Sequence, residues 1–177
     1  MINTPNAITA VRTVVAMALA VSAVARPSVA LTAGAYVTYW AGDILDGFAA
    51  RRLDQETRAG AVFDIVADRA CTALCAAALL VLRPDVALPI AVFLAQFMVA
   101  DCLLSLSFLR WPLLGPNYFG SVHRGVYRWN WSPAAKALNT GGVVGLALLA
   151  PSPWWATGLA AAVAVVKAAS LVTVSRL

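Results

Sequence analysis

Long apolar runs are the feature that most constrains the fold of this chain. Most of them approach the roughly 20 residues that an α-helix needs to cross a bilayer. They are much longer than the alternating strands of a membrane barrel, so helices are expected. The runs predict six membrane spans: Ile8–Ala25, Val29–Gly42, Gly60–Leu82, Val86–Leu109, Pro133–Ala150 and Trp154–Val174.

Composition agrees with a membrane protein. The 177 residues are 62% hydrophobic and 12% charged, whereas soluble domains are about half apolar and a quarter charged. We therefore predict an all-α integral membrane bundle of six helices that forms one domain, residues 1–177. Cys71 and Cys75 lie inside an apolar run without further metal-binding partners, which favours a packing role.

Basic residues are distributed unevenly between the two ends of the predicted spans. If the N-terminus is inside, the outer face carries only Arg26 and Arg83. Cytoplasmic segments of membrane proteins are enriched in Lys and Arg, so both termini are expected in the cytoplasm. The net charge of +5 then reflects topology and does not indicate nucleic-acid binding. The inner face carries Arg12, Arg51, Arg52, Arg58, Arg69, Arg110, Arg124, Arg128, Lys136, Lys167 and Arg176.

Four aspartates lie at the ends of two neighbouring apolar segments, where charge is costly. One Asp at the centre of a membrane helix costs about 2.5–3.5 kcal/mol. Asp43 and Asp46 fall in one sector of a helix, and Asp64 and Asp68 share a stripe on the next one. The short polar link Arg51–Ala59 makes these helices an antiparallel pair, so the acids are expected to face each other. Carboxylate oxygens suit Mg²⁺ or Mn²⁺, and the pattern therefore predicts a metal site on the cytoplasmic side.

Small and basic residues accompany the acids. Gly47, Ala50 and Gly60 would let a ligand or a neighbouring backbone come close. Arg51 and Arg58 lie nearby, and arginine binds phosphate through paired hydrogen bonds. Together these residues indicate a substrate that carries phosphate.

The spacing of these residues resembles the signature of the CDP-alcohol phosphatidyltransferase family. That signature reads Asp-x2-Asp-Gly-x2-Ala-Arg-x8-Gly-x3-Asp-x3-Asp, and every fixed position is filled here. The run Ala50–Ala61 also resembles the phosphatidylglycerophosphate synthase branch. The opening Pro5-Asn6-x2-Thr9-x2-Arg12 is similar to the start of that family. The matching residues are Asp43, Asp46, Gly47, Ala50, Arg51, Gly60, Asp64 and Asp68.

The resemblance implies a reaction in phospholipid biosynthesis at the inner membrane. A hydroxyl of a polar alcohol attacks the β-phosphorus of CDP-diacylglycerol, and CMP leaves. Asp43, Asp46, Asp64 and Asp68 would hold two Mg²⁺ or Mn²⁺ ions, with Asp68 also acting as the general base. Family members commonly form homodimers. The residues implied to bind the CDP-lipid are Asn6, Thr9, Gly47, Ala50, Arg51, Thr57 and Gly60.

The acceptor alcohol is less constrained by the sequence. Glycerol 3-phosphate is the first expectation, with an inositol phosphate as the alternative. Either would need cations, for which the candidates are Arg110, Arg124, Arg128 and Lys136. The other interpretation is that these basic residues set the orientation in the membrane and contact lipid headgroups. The branch's Arg-Glu pair in the fourth span is replaced here by Ala100-Asp101. Asp101 is then either functional or paired with a cation such as Arg69.

A divalent-cation carrier is an alternative of a different class, because acids inside membrane helices also line ion pathways. It explains the carboxylates but not the spacing of Gly47, Ala50, Arg51 and Gly60. A cleaved signal peptide at the N-terminus is disfavoured, since no basic residue precedes the first apolar run.

Overall fold

A computed structural model of the chain describes residues 3–177, and in this range all regular secondary structure is helical. Met1 and Ile2 lie outside the described residues, and with them the first two positions of the expected domain. The chain divides into two compact units, with the boundary between Pro84 and Asp85. That one domain spans the whole chain stays a prediction.

The first unit consists of three long helices: α1 (Thr4–Ala25), α2 (Val29–Arg52) and α3 (Arg58–Leu82). Helix α1 packs along both of the others, whereas α2 and α3 contact each other over a shorter stretch. Ala16 and Ala20 of α1 are fully buried, while Val11 and Val14 are 64% and 67% exposed. Small residues on the inner face allow close helix packing, and the branched apolar residues are left for lipid.

The bend between α2 and α3 is tied to the start of α1. Thr57 caps α3, because its hydroxyl accepts a hydrogen bond from the Gly60 backbone at 3.0 Å. The side-chain amide of Asn3 donates to the Gln55 carbonyl at 3.1 Å. Asp54 turns the chain with a φ of 54°, a conformation that Asp tolerates better than most residues. The N-terminal end of α1 and the bend therefore lie at the same end of the first unit.

The second unit contains helix α4 (Pro84–Arg110, of which the first residue still belongs to the first unit), α5 (Arg124–Asn130), α6 (residues 133–149) and α7 (Pro153–Ser175). Both α4 and α6 are interrupted by π-helical stretches, at Gln96–Asp101 and Ala137–Gly142. The segment between α4 and α5 carries a 3₁₀-helix at Pro116–Ser121. One apolar cluster of this unit consists of Phe93, Phe97, Val143 and Ala160, which come from α4, α6 and α7.

Asp101 forms a buried ion pair with Lys167 of α7. The two side chains are only 12% and 3% exposed, respectively. The Ser105 hydroxyl also lies 3.5 Å from the Asp101 carboxylate. The sequence did not identify the cation that pairs with Asp101. The structure shows that Lys167 is a partner inside the second unit.

Four helices among residues 3–177 are long and apolar enough to cross a membrane, namely α1, α3, α4 and α7. Helix α2 has 24 residues but also contains Asp43, Asp46 and a basic end, which lowers its mean hydropathy. The fold is thus an all-α membrane fold, and the count of six spans stays a prediction. Cys71 and Cys75 are free and buried, as expected of packing residues.

Candidate metal centre

Three of the four aspartates meet at one point of the first unit. Asp43 on α2 and Asp64 and Asp68 on α3 each offer a carboxylate oxygen within 4.8 Å of the others. Their side chains are 45%, 38% and 21% exposed, so a cation can reach them. Hard carboxylate oxygens at this separation fit Mg²⁺ or Mn²⁺. The expectation that acids of two helices converge is confirmed.

Asp46 has a different environment from the other three acids. It is 4% exposed, and its Oδ2 accepts hydrogen bonds from the Thr9 hydroxyl at 2.7 Å and from Arg12 Nε at 2.8 Å. Two donors of α1 therefore engage one of its oxygens. The role of Asp46 as a metal ligand stays a prediction.

Arg12 of α1 lies between the acids of α2 and α3. Its Nη2 is 2.5 Å from Asp64 Oδ1, 3.1 Å from Asp68 Oδ1 and 3.5 Å from Asp43 Oδ1. Together with the Nε contact to Asp46, one guanidinium binds all four carboxylates. The acidic stripes thus do not simply face each other, because α1 inserts a cation between them.

Sequence reasoning missed this role of Arg12, although a signal was present. A cation that interrupts an apolar span is costly unless it is paired. Asn6, Thr9 and Arg12 also recur every three residues, which places them along one face of a helix. A polar stripe on the first span, next to two acidic stripes, would have indicated a three-helix site.

Residues expected to bind the nucleotide surround the start of α3. A Cβ atom on Gly60 would lie 2.9 Å from both Asn6 Oδ1 and Thr57 Oγ1, so these three residues are in close contact. Thr9 lies one turn further along α1, at Asp46. The polar face of α1 thus runs from the α2–α3 bend to the acids.

Gly47, Ala50 and Arg51 occupy the last turns of α2. The Arg51 guanidinium folds over Gly47, where an added Cβ would lie 3.4 Å from Nη1. Arg51 remains exposed, and Ala50 is half-buried. An exposed guanidinium near the acid cluster is available to a phosphate group.

The four cations expected to bind the acceptor all belong to the second unit. Arg110 donates to the Val174 carbonyl at 3.0 Å, and Lys136 donates to Asn117 Oδ1 at 2.8 Å. Arg124 and Arg128 are exposed on α5. Their contact with an acceptor stays a prediction.

Comparison with known proteins identifies the family. The family model for CDP-alcohol phosphatidyltransferases matches residues 2–166, which includes the acid cluster and most of both units. No match was found among curated proteins or among solved structures. The match does not distinguish the phosphatidylglycerophosphate synthase branch from others. The chain therefore belongs to the CDP-alcohol phosphatidyltransferase family, whose members are membrane transferases of phospholipid synthesis.

Proposed function

We propose that this protein transfers a phosphatidyl group from CDP-diacylglycerol to glycerol 3-phosphate and releases CMP. The observation that carries the proposal is the convergence of Asp43, Asp64 and Asp68 within 4.8 Å in a member of this family. Phosphoryl transfer requires cations on the phosphate oxygens and a base near the attacking hydroxyl. The three acids can bind the cations, and one of them can act as the base.

Asp43, Asp64 and Asp68, with Asp46 as a further ligand, would hold Mg²⁺ or Mn²⁺, and two ions are expected. Bound divalent ions supply charge neutralisation on the diphosphate and acidify a nearby hydroxyl. The partly exposed carboxylates and their oxygen-only chemistry fit these ions.

Asp68 would accept the proton of the acceptor hydroxyl. The hydroxyl oxygen forms a bond to the β-phosphorus, the bond between that phosphorus and the CMP oxygen breaks, and CMP leaves with the electron pair. Asp68 suits this role because its side chain is 21% exposed, so that an acceptor hydroxyl can reach the carboxylate. A carboxylate suffices as a base when the hydroxyl is acidified.

The polar residues around the acids would hold the nucleotide-linked lipid. Arg51 would bind the diphosphate through its exposed guanidinium, while Asn6, Thr57 and Gly60 contact the cytidine side. An inositol phosphate is the alternative acceptor. We further propose a homodimer, on the resemblance alone, and a cytoplasmic site in the inner membrane, on the distribution of basic residues.

The test is an acceptor panel with purified full-length protein. Labelled CDP-diacylglycerol and Mg²⁺ are supplied with glycerol 3-phosphate, with an inositol phosphate or with no acceptor. The proposal expects CMP release that depends on glycerol 3-phosphate and stops when EDTA is added. CMP release with the inositol phosphate alone would assign the other acceptor, and ion uptake into sealed vesicles without CMP release would favour a carrier.

Asp68→Asn should abolish CMP release and keep CDP-lipid binding. Asp54→Asn is the matched control, because Asp54 is exposed in the bend and Asn tolerates its positive φ. Full activity in Asp68→Asn would remove Asp68 from the mechanism.

A further inference from the structure

We propose that Arg12 is a built-in counter-cation that holds the four aspartates together and competes with the divalent ion for them. The inference rests on the proposed function in one respect: the competing ion is the one that the transferase would use. Arg12 then acts as a positioning residue, through the acids and not through the substrate.

Arg12 and the ion share the same ligands. A single nitrogen, Nη2, lies within 3.5 Å of Asp43, Asp64 and Asp68. These are the three acids whose oxygens group closely enough for a metal ion. The guanidinium uses Oδ1 of each acid, so an ion would bind mainly through the remaining oxygens.

Arg12 is held in place on several sides. Its side chain is 3% exposed, and Nε is fixed by the buried Asp46 at 2.8 Å. The guanidinium lies over the Tyr39 ring at 5.6 Å. The stem of Arg12 also fills the space beside Gly42, where even one Cβ atom would overlap it. Arg12 is thus a permanent part of the cluster.

Electrostatics also support this role. Four carboxylates this close repel one another even though three of them are partly exposed, and one guanidinium that contacts all of them offsets much of this repulsion. The same positive charge repels a divalent ion a few ångström away. Arg12 therefore stabilises the fold without metal and weakens ion binding, so that the two cations are antagonistic.

The experiment compares wild type with Arg12→Met, a substitution of similar length without charge. Full-length protein in lipid nanodiscs is melted in EDTA, and Mn²⁺ binding is titrated by electron paramagnetic resonance. In EDTA the melting temperature of Arg12→Met should fall by roughly 10 °C, because the buried Asp46 and the three partly exposed acids lose their shared cation. Mn²⁺ should bind Arg12→Met at least about tenfold more tightly, because one repelling charge is gone. Unchanged stability in EDTA, or weaker Mn²⁺ binding, would overturn the proposal.

A double variant separates the electrostatic role from simple packing. Arg12→Met combined with Asp46→Asn restores the net charge of the wild-type cluster. It should regain at least half of the lost melting temperature and bind Mn²⁺ less tightly than Arg12→Met alone. No recovery would mean that Arg12 acts only by filling space, which contradicts the proposal.

Two further variants complete the comparison. Arg12→Lys keeps the charge but not the guanidinium fork. Its melting temperature in EDTA and its Mn²⁺ affinity should lie between those of wild type and Arg12→Met. If Arg12→Met does not fold, Arg12→Lys takes its place in the comparison with wild type. Arg26→Met removes an exposed arginine and should match wild type. The melting temperature and the Mn²⁺ affinity do not depend on CMP release. A failure of this proposal can therefore be distinguished from a failure of the proposed transferase activity.

Discussion

At the scale of single residues, Gly42 decides whether Arg12 can reach the acids. A Cβ atom on Gly42 would overlap the stem of Arg12, whereas one on Gly34, two turns earlier in α2, would meet only Leu19 Cδ1 at 3.7 Å. The two glycines of the same helix therefore differ in the space beside them, and this difference can be tested directly.

Gly42→Ala should lower the free energy of unfolding by about 1–3 kcal/mol, the usual cost of overpacking a filled interior. It should also reduce CMP release, because a displaced guanidinium no longer holds the acids. Gly34→Ala should be neutral or slightly stabilising, since Ala favours helix. Melting curves of the two variants in the same nanodiscs provide the measurement, and equal stability would show that the space beside Gly42 is not limiting.

Phosphate binding by the exposed guanidinium of Arg51 can be tested with a substitution that keeps the charge. Arg51→Lys should raise the KM for CDP-diacylglycerol about tenfold, because lysine cannot form the paired hydrogen bonds that a guanidinium makes to phosphate. Arg52→Lys, the adjacent and equally exposed position, should keep the wild-type KM. If the KM is the same in both variants, Arg51 serves topology only.

At the scale of helices, the packing of α1 against α2 and α3 marks the limit of what local sequence patterns predict. The spacing of Asp43, Asp46, Asp64 and Asp68 indicated two acidic stripes and a tight bend, because helical periodicity acts over a few residues. The packing of α1 against both stripes involves residues more than 30 positions apart in sequence. The polar stripe of Asn6, Thr9 and Arg12 indicated that α1 has a polar partner, but local spacing does not specify which helices it packs against.

The same limit applies to the pair of Asp101 and Lys167. Each is a lone charge in an apolar helix, which signals a partner, but the identity of the partner depends on how α4 and α7 pack. The family resemblance was equally local, since it rests on motifs of the first unit. The acceptor-binding role expected for Arg110, Arg124, Arg128 and Lys136 consequently stays a prediction.

Breaking this pair should destabilise the protein without changing the acid cluster. Lys167→Met leaves Asp101 buried without this cation, at a cost of about 3–5 kcal/mol. The double variant Lys167→Met with Asp101→Asn should recover much of this loss, because neither charge of the pair is then present. Arg176→Met, at an exposed position of the C-terminus, is the control. A melting temperature unchanged by Lys167→Met would contradict a stabilising role for the pair.

At the scale of the whole molecule, the distribution of basic residues predicts how the chain lies in the membrane. The bend at Asp54 is expected on the cytoplasmic side and Arg26 on the other. Asp54→Cys and Arg26→Cys, each in a variant whose 3 native cysteines are replaced by alanine, can be labelled with an impermeant maleimide. Intact cells should label position 26 alone, and inverted vesicles position 54 alone. The reverse pattern would place the acids outside the cell and rule out a cytoplasmic nucleotide-lipid site.

The proposed transferase activity requires that Asp43, Asp64 and Asp68 share a divalent ion. The most direct measurement is Mn²⁺ binding to the purified full-length protein by electron paramagnetic resonance, with Asp64→Asn and Asp54→Asn as a matched pair. We expect saturable binding in wild type and in Asp54→Asn, and a loss of at least about tenfold in affinity in Asp64→Asn, because a charged oxygen ligand is removed. Equal Mn²⁺ binding by all three proteins would contradict a metal centre at these acids.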